Sequence, residues 1–275
     1  MSTIKKIVTH AGTFHADEVS AVALLLYLFP NTLVERTYTP SEEDFADPEV
    51  VVIDIGRRFE PELLNFDHHQ DTELPASNML VLDHFFELLP KGAAEYLQEN
   101  LFEYISEVDC GTIIEQINDP YSGCGVEADN SYGHGIELTG VPTISSIIRA
   151  CNNLHESLGW PIAMQTMGNV LQTYLAAGKK YVETAARWIG EVEKRRGNFA
   201  IFDSEDYLVG WETPAEKDSI IYLINRNKRG GYQITSRDSK RYPIPAHPSQ
   251  TFLHNSGFIA SYPTLEAAIE HAETL

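Results

Sequence analysis

The apolar positions open on a short strand-like pattern at residues 4–9, followed by an apolar run over residues 19–28. Its length and composition predict a helix, closed by Pro30-Asn31. Residues 33–39 are β-like and residues 40–45 start a short acidic helix or loop. Residues 50–55 form a continuous, largely β-branched run, which predicts a strand buried on both faces in the middle of a parallel sheet. Helices are predicted over residues 78–89 and 92–108, with Gly111 ending the second. Residues 118–140, rich in Gly, Asp, Asn and Ser, form the longest irregular stretch. Helical patterns return over residues 143–158 and 162–196. The second is long and loses its apolar stripe toward Lys194-Arg195-Arg196, as a connector between domains would.

Beyond residue 198 the elements shorten. Strands are predicted at 199–202, 207–210, 231–236 and 258–261, a helical piece at 220–224, and a last helix at 265–273 that Thr264 can cap. The fold class read from this order is α/β. An N-terminal parallel-sheet domain with flanking helices (residues 1–160) leads through a helical connector (161–197) to a smaller C-terminal α+β domain (198–275), and 275 residues suffice for both cores.

Composition narrows the class. A chain 43% hydrophobic and 22% charged has the balance of a folded soluble protein, and no apolar run reaches the roughly 18 residues of a membrane span. The N-terminus enters a strand at once, without the pattern of a secretory signal, so a cytoplasmic location is expected. Cys110, Cys124 and Cys151 have neither the number nor the spacing of a disulfide framework or a zinc knuckle. Charge is unevenly spread: residues 1–140 hold 26 Asp and Glu against 6 Lys and Arg, and residues 141–275 hold 14 of each. An acidic half repels a long polyanion unless cations neutralise it locally, so any nucleic-acid substrate is expected to be short, single-stranded or held by its end.

Candidate chemistry follows the strands. The first strand delivers His10, His15 and Asp17 into a turn that enters a helix, the geometry that aims side chains at the carboxyl edge of a parallel sheet. A simpler reading makes Asp17 and Glu18 first-turn acids that complement the helix dipole. Asp54 ends the buried run, where it could cap a turn or bridge two cations. Asp67-His68-His69-Gln70 places two imidazoles behind a carboxylate, and each ring needs its own orienting partner. Asp109 adds a lone acid at a helix end. His134 lies in the irregular stretch and reads as a loop residue. Residues 226–241 carry Arg226, Lys228, Arg229, Arg237, Lys240 and Arg241 against Asp238, a basic patch that is either a solvated face or an anion site. It is followed by His254-Asn255-Ser256-Gly257-Phe258, a polar loop able to hold an anion through backbone N–H groups and a hydroxyl.

Taken in order, His10-x4-His15-x-Asp17, Asp54, Asp67-His68-His69 and Asp109 resemble the four motifs of the DHH phosphoesterase superfamily. His254-Asn255-Ser256-Gly257-Phe258 resembles the phosphate-binding motif of its exonuclease and oligoribonuclease members. The wording of the first motif, Thr9-His10-x-Gly12-Thr13-Phe14-His15-x-Asp17-Glu18, is most similar to the melanocyte-proliferating-gene (MYG) exonuclease-like branch. Two departures stand out. His15-x-Asp17 replaces the Asp-x-Asp pair, and Gln250-Thr251-Phe252-Leu253-His254 replaces a Gly-Gly-Gly-His.

The resemblance implies two Mn²⁺ or Mg²⁺ ions, one held by His10, His15 and Asp54 and one by Asp17, Asp54, His68 and Asp109. His69 would meet the scissile phosphate, with Asp67 orienting the histidines. His254, Ser256, Gly257, Arg226, Arg229 and Arg237 would bind the rest of the substrate. The expected activity is removal of nucleotides from the end of a short single-stranded RNA or DNA. The alternatives are the same chemistry on a small phosphate compound such as pyrophosphate, a cyclic dinucleotide or a phosphorylated nucleotide, and a metal-stabilised binding module without catalysis. No membrane partner is expected, and an oligomer is compatible with the sequence.

Overall fold

The computed structural model describes residues 4–116, 136–139, 143–194 and 197–275. The chain divides into two compact units, residues 1–178 and 179–275. It is mixed α/β, with a parallel-rich N-terminal sheet, a long helix and a C-terminal sheet domain.

In the first unit, β1 (Lys6–His10), β2 (Leu33–Thr37), β3 (Val50–Ile53), β4 (Phe59–Glu60) and β5 (Asn65–Phe66) form a sheet in the order β2-β1-β3-β5-β4. β1 is parallel to β2 and β3, and β3 to β5, while β4 reverses. All four residues of β3 are buried, as its branched run requires of a central strand. Helix α1 (Ala16–Leu28) is buried without a break from Ala16 to Leu25, because beyond its first turn the sequence offers no polar face. That burial carries Asp17 and Glu18 inside with it. α2 (Glu42–Ala46) is capped by Ser41, whose Oγ accepts from the Asp44 N–H. α3 (Ser77–Phe85) continues into a 3₁₀ turn at Phe86–Leu88, and α4 (Ala93–Leu97) is joined to α5 (Glu103–Asp109) by a π-helical turn at Gln98–Phe102.

Several expected boundaries move. Within the stretch read as irregular, Ile136–Thr139 is a strand, β7, that pairs in parallel with β6 (Ile113–Gln116). His134 lies outside the described residues. The break read near residues 159–161 falls instead between α6 (Ile144–Cys151) and α7 (Glu156–Gly190), and Pro161 sits inside α7. Asn152 leaves the helix to bond the backbone of Phe14.

The second unit contains a six-stranded sheet in the order β12-β13-β11-β10-β9-β8. Its strands are β8 (Glu193–Lys194), β9 (Phe199–Phe202), β10 (Tyr222–Arg226), β11 (Tyr232–Ser236), β12 (Phe252–Leu253) and β13 (Ile259–Tyr262), joined by α8 (Glu212–Lys217) and α9 (Leu265–Ala272). Residues 207–210 are not a strand, and the helical piece expected at 220–224 is largely β10. Its Tyr222, Leu223, Ile224 and Asn225 are buried between β9 and β11, where branched apolar residues favour the extended chain over a helix. Among the described residues no helix is long and apolar enough to cross a membrane.

Candidate metal centre

Three adjacent parallel strands end at one edge of the first sheet. β1 ends in His10, β3 is followed by Asp54, and β5 by Asp67-His68-His69. The N-terminus of α1 adds His15, Asp17 and Glu18 to the same edge, and the last residue of α5 adds Asp109. Carboxyl ends of parallel strands are where open α/β sheets gather their ligands.

The turn after β3 is built to present Asp54. Asp54, Gly56 and Arg57 all have positive φ, at 57°, 99° and 55°. Asp tolerates this region better than most side chains, and the strain places the carboxylate at 5% exposure. Gly56 is required, since a Cβ there would meet the ring of Phe45. Ser77 Oγ donates to Asp54 Oδ1 at 2.8 Å.

Asp54 stands between imidazoles. His10 Nε2 is 3.5 Å from Asp54 Oδ2, and His68 Nε2 is 3.4 Å from Oδ1. His68 Nε2 also lies 3.3 Å from Asp109 Oδ2, and His10 Nε2 lies 3.0 Å from Glu18 Oε1. His69 Nδ1 contacts Asp67 Oδ1 at 2.8 Å, and the other Asp67 oxygen accepts the Arg57 N–H at 2.6 Å. Asp67 therefore holds the His69 ring and the Asp54–Arg57 turn together.

The ionisation of the cluster follows from burial and crowding. Burial disfavours charge on His10, but Asp54 and Glu18 outweigh it and push the ring up to about 10. Burial is likewise outweighed at His68, where Asp109 and Asp54 push the ring up to about 12. The same imidazoles and Ser77 hold Asp54 below the usual carboxylate range against the effect of desolvation. Asp17 goes the other way. Burial first, and then Asp54, Asp109 and Glu18, raise it well above the ordinary value. His69 is raised chiefly by its bond to Asp67.

Three groups bring donor atoms within 4.8 Å of one another: His10, His15, Glu18 and Asp54; Asp54, His68 and His69; and His15, Asp17 and Asp109. Both carboxylate oxygens of Asp17 are sealed from water without a hydrogen-bond partner, and the equally sealed Nε2 of His68 faces the carboxylates of Asp54 and Asp109. Buried polar atoms without partners are costly, and a small cation held with His15 and Asp109 would give Asp17 a partner. Mixed imidazole and carboxylate donors without a thiolate suit Mn²⁺, Mg²⁺ or Zn²⁺. A cavity of about 310 Å³ opens against this cluster, lined by His10, His15, Asp54, Gly56, Arg57, Asp67 and His69.

The metal-ligand candidates read from the sequence, His10, His15, Asp17, Asp54, His68 and Asp109, thus converge with Asp67 and His69 at one sheet edge. Residues that the sequence left out support them. Arg36, from β2, donates to the carbonyls of His10 at 3.2 Å and Gly12 at 2.7 Å, and its guanidinium lies 4.4 Å from the Trp160 ring centroid. The Asn152 amide accepts from Phe14 N–H at 3.1 Å and donates to Phe14 C=O at 2.7 Å. Glu18 was read from the sequence only as a first-turn acid complementing the helix dipole, and the structure adds its capping bond to the His15 N–H.

The remaining candidates belong to the second unit. His254 is exposed, its Nδ1 3.0 Å from Ser256 Oγ and its ring edge-on to Phe258. Gly257 has φ of 67° and donates to the His254 carbonyl at 2.8 Å. Arg226 is engaged in a bidentate pair with Asp203 at 2.6 and 2.9 Å. Arg229 sits in the turn between β10 and β11, and Arg237 lines a separate cavity with Glu212 and Arg241.

Comparison with known proteins points one way. The chain is similar to a MYG1 protein of Schizosaccharomyces pombe, 24% identical over 99% of this chain and 97% of that one. A MYG1 protein of Chlamydia trachomatis is 38% identical over 40% of this chain, a stretch covering 39% of that relative. The MYG1 exonuclease of Rattus norvegicus is 41% identical over 24% of this chain and 17% of its own length. A crystal structure of an uncharacterized protein from Helicobacter pylori G27 overlaps 84% of this chain and 86% of that one, at TM-score 0.27 and 11% identity, too slight a likeness to build on. Residues 6–88, which carry every member of the cluster except Asp109, match the model of the uncharacterised protein family MYG1_exonuc.

Proposed function

We propose that this chain is a MYG1-type member of the DHH phosphoesterase superfamily, a metal-dependent phosphodiesterase that releases nucleotides from the end of a short single-stranded RNA or DNA. The observation that carries the reading is Asp54, a buried carboxylate with one oxygen toward His10 and the other toward His68, in a cluster that also buries both oxygens of Asp17 without a hydrogen-bond partner. The exonuclease name of the rat relative supports it.

In this reading His10, His15 and Asp54 hold one divalent ion, and Asp17, Asp54, His68 and Asp109 hold a second. Such a pair supplies an activated water and neutralises charge on the reacting phosphate. His69 lines the cavity, and Asp67 keeps its ring protonated and oriented for a hydrogen bond to the scissile phosphate. Arg57, on the same cavity wall, offers a cation to a phosphate oxygen. In the second unit, His254, Ser256 and Gly257 would receive a more distant phosphate, joined by Arg229 and Arg237; Arg226 would have to leave Asp203 first.

The test is incubation with labelled oligonucleotides of graded length, pyrophosphate and a cyclic dinucleotide, each with Mn²⁺, Mg²⁺ or chelator. Metal-dependent release of mononucleotides from the oligonucleotides is expected. Phosphate from small compounds alone would select the rival substrate class, which the acidity of residues 1–140 favours. No turnover with any metal would leave a binding module.

A further inference from the structure

We infer that Glu18, besides capping α1, is itself a ligand of the ion held by His10, His15 and Asp54. The inference rests on the metal-centre reading above and adds a donor to it. Glu18 is fully buried. Both of its oxygens accept the His15 N–H, at 2.8 and 2.9 Å, and Oε1 also faces His10 Nε2 at 3.0 Å.

The tautomer of His10 makes that last contact informative. Its other ring nitrogen, Nδ1, lies 3.2 Å from the carbonyl oxygen of Ala11. A ring that donates Nδ1–H to a backbone carbonyl keeps its lone pair on Nε2, the arrangement that metal-bound histidines adopt. Once Nε2 binds a metal it has no proton to give Glu18. Oε1 would then lose the proton it faces and lie 3.0 Å from an atom already bound to the ion. Binding the same cation would give Oε1 a new partner in place of that proton. The spacing suits one, since two donors bound at about 2.1 Å and at right angles stand about 3.0 Å apart.

Capping alone does not account for the residue. Glutamine serves the same capping-box position and accepts the same N–H, without the cost of a buried charge. The two roles therefore separate by substitution in the full chain.

Chelator-treated wild type, Glu18→Gln and Glu18→Ala are titrated with Mn²⁺ by calorimetry and by electron paramagnetic resonance, and each metal-free protein is melted. Glu18→Gln is expected to keep the metal-free melting temperature and to weaken one Mn²⁺ site by at least about tenfold. Glu18→Ala should lose both stability and affinity. Wild-type Mn²⁺ affinity in Glu18→Gln would make the carboxylate a cap only and overturn the inference. Should that variant not fold, a crystal of the wild type soaked in Mn²⁺ decides: a Glu18 oxygen within about 2.3 Å of an ion supports the assignment, and both oxygens beyond about 3 Å overturn it. A wild type that binds no Mn²⁺ overturns the metal-centre reading and this inference together, whereas a wild type that binds it equally well as Glu18→Gln overturns this inference alone.

Discussion

Asp54→Asn tests the centre at its most connected atom pair. Asn tolerates the left-handed backbone at residue 54 and keeps an oxygen to accept from Ser77, so the turn survives. What changes is the charge. One oxygen becomes an NH₂ group, and no anion remains between His10 Nε2 and His68 Nε2 at 3.5 and 3.4 Å. At an effective dielectric of about 20, unit charges 4 Å apart interact by about 4 kcal/mol, so losing one such attraction in the transition state costs about a thousandfold in rate. The expected outcome is a fall in kcat/KM for oligonucleotides of about 10³ or more, with Mn²⁺ affinity down by at least about tenfold and the circular dichroism spectrum unchanged. Asp54→Ala should also lower the melting temperature, because alanine at positive φ costs about 1–2 kcal/mol and leaves Ser77 unpaired. Turnover of Asp54→Asn within about tenfold of wild type, at full metal content, would refute the sharing of this carboxylate between two ions.

Asn152→Leu unpairs both backbone groups of Phe14. It should destabilise the metal-free protein by about 2–4 kcal/mol in urea unfolding and weaken Mn²⁺ binding about 10- to 100-fold; unchanged affinity would mean that the amide does not position the loop. Gly56→Ala forces a side chain into a left-handed position against Phe45, and a loss of about 1–3 kcal/mol is expected in urea unfolding. Asp67 raises the pKa of His69, so Asp67→Asn should lower it and move the alkaline limb of the pH–rate profile to lower pH; a limb that stays in place would show that the protonated ring is not used.

The strands at the heart of the first sheet were legible because burial on both faces leaves a run of branched apolar residues, and His10 and Asp54 stood out because each lies at the end of such a run, whereas Asp109 ends a helix and the short strand before Asp67 carries no such run. Residues 220–224 were misread for a related reason. A short apolar run is compatible with a buried strand or a buried helical turn, and only its place between β9 and β11 decides. The supports of the site were hidden more deeply. Asn152 and Arg36 act through hydrogen bonds to carbonyls and amides 138 and 24 to 26 residues away, and no local pattern announces such partners. The pairing of Arg226 with Asp203, 23 residues earlier in the chain, is of the same kind.

The charges of the cluster connect these details to the acidity of the chain. Asp17, Glu18, Asp54, Asp67 and Asp109 crowd one sheet edge, a density of carboxylate that no apolar surrounding tolerates without compensation. In the metal-free protein the compensation is protons. The neighbouring carboxylates raise His10 and His68 toward their protonated forms, and burial first, then Asp54 and Asp109, drives Asp17 toward its neutral form. Under the proposed function, divalent ions at the same place would compete with those protons, so binding is expected to strengthen as pH rises and weaken in acid. Under the proposed function such ions would add positive charge beside His69 and Arg57, and the surrounding acidity would disfavour long polyanions while leaving room for a short one held at its end.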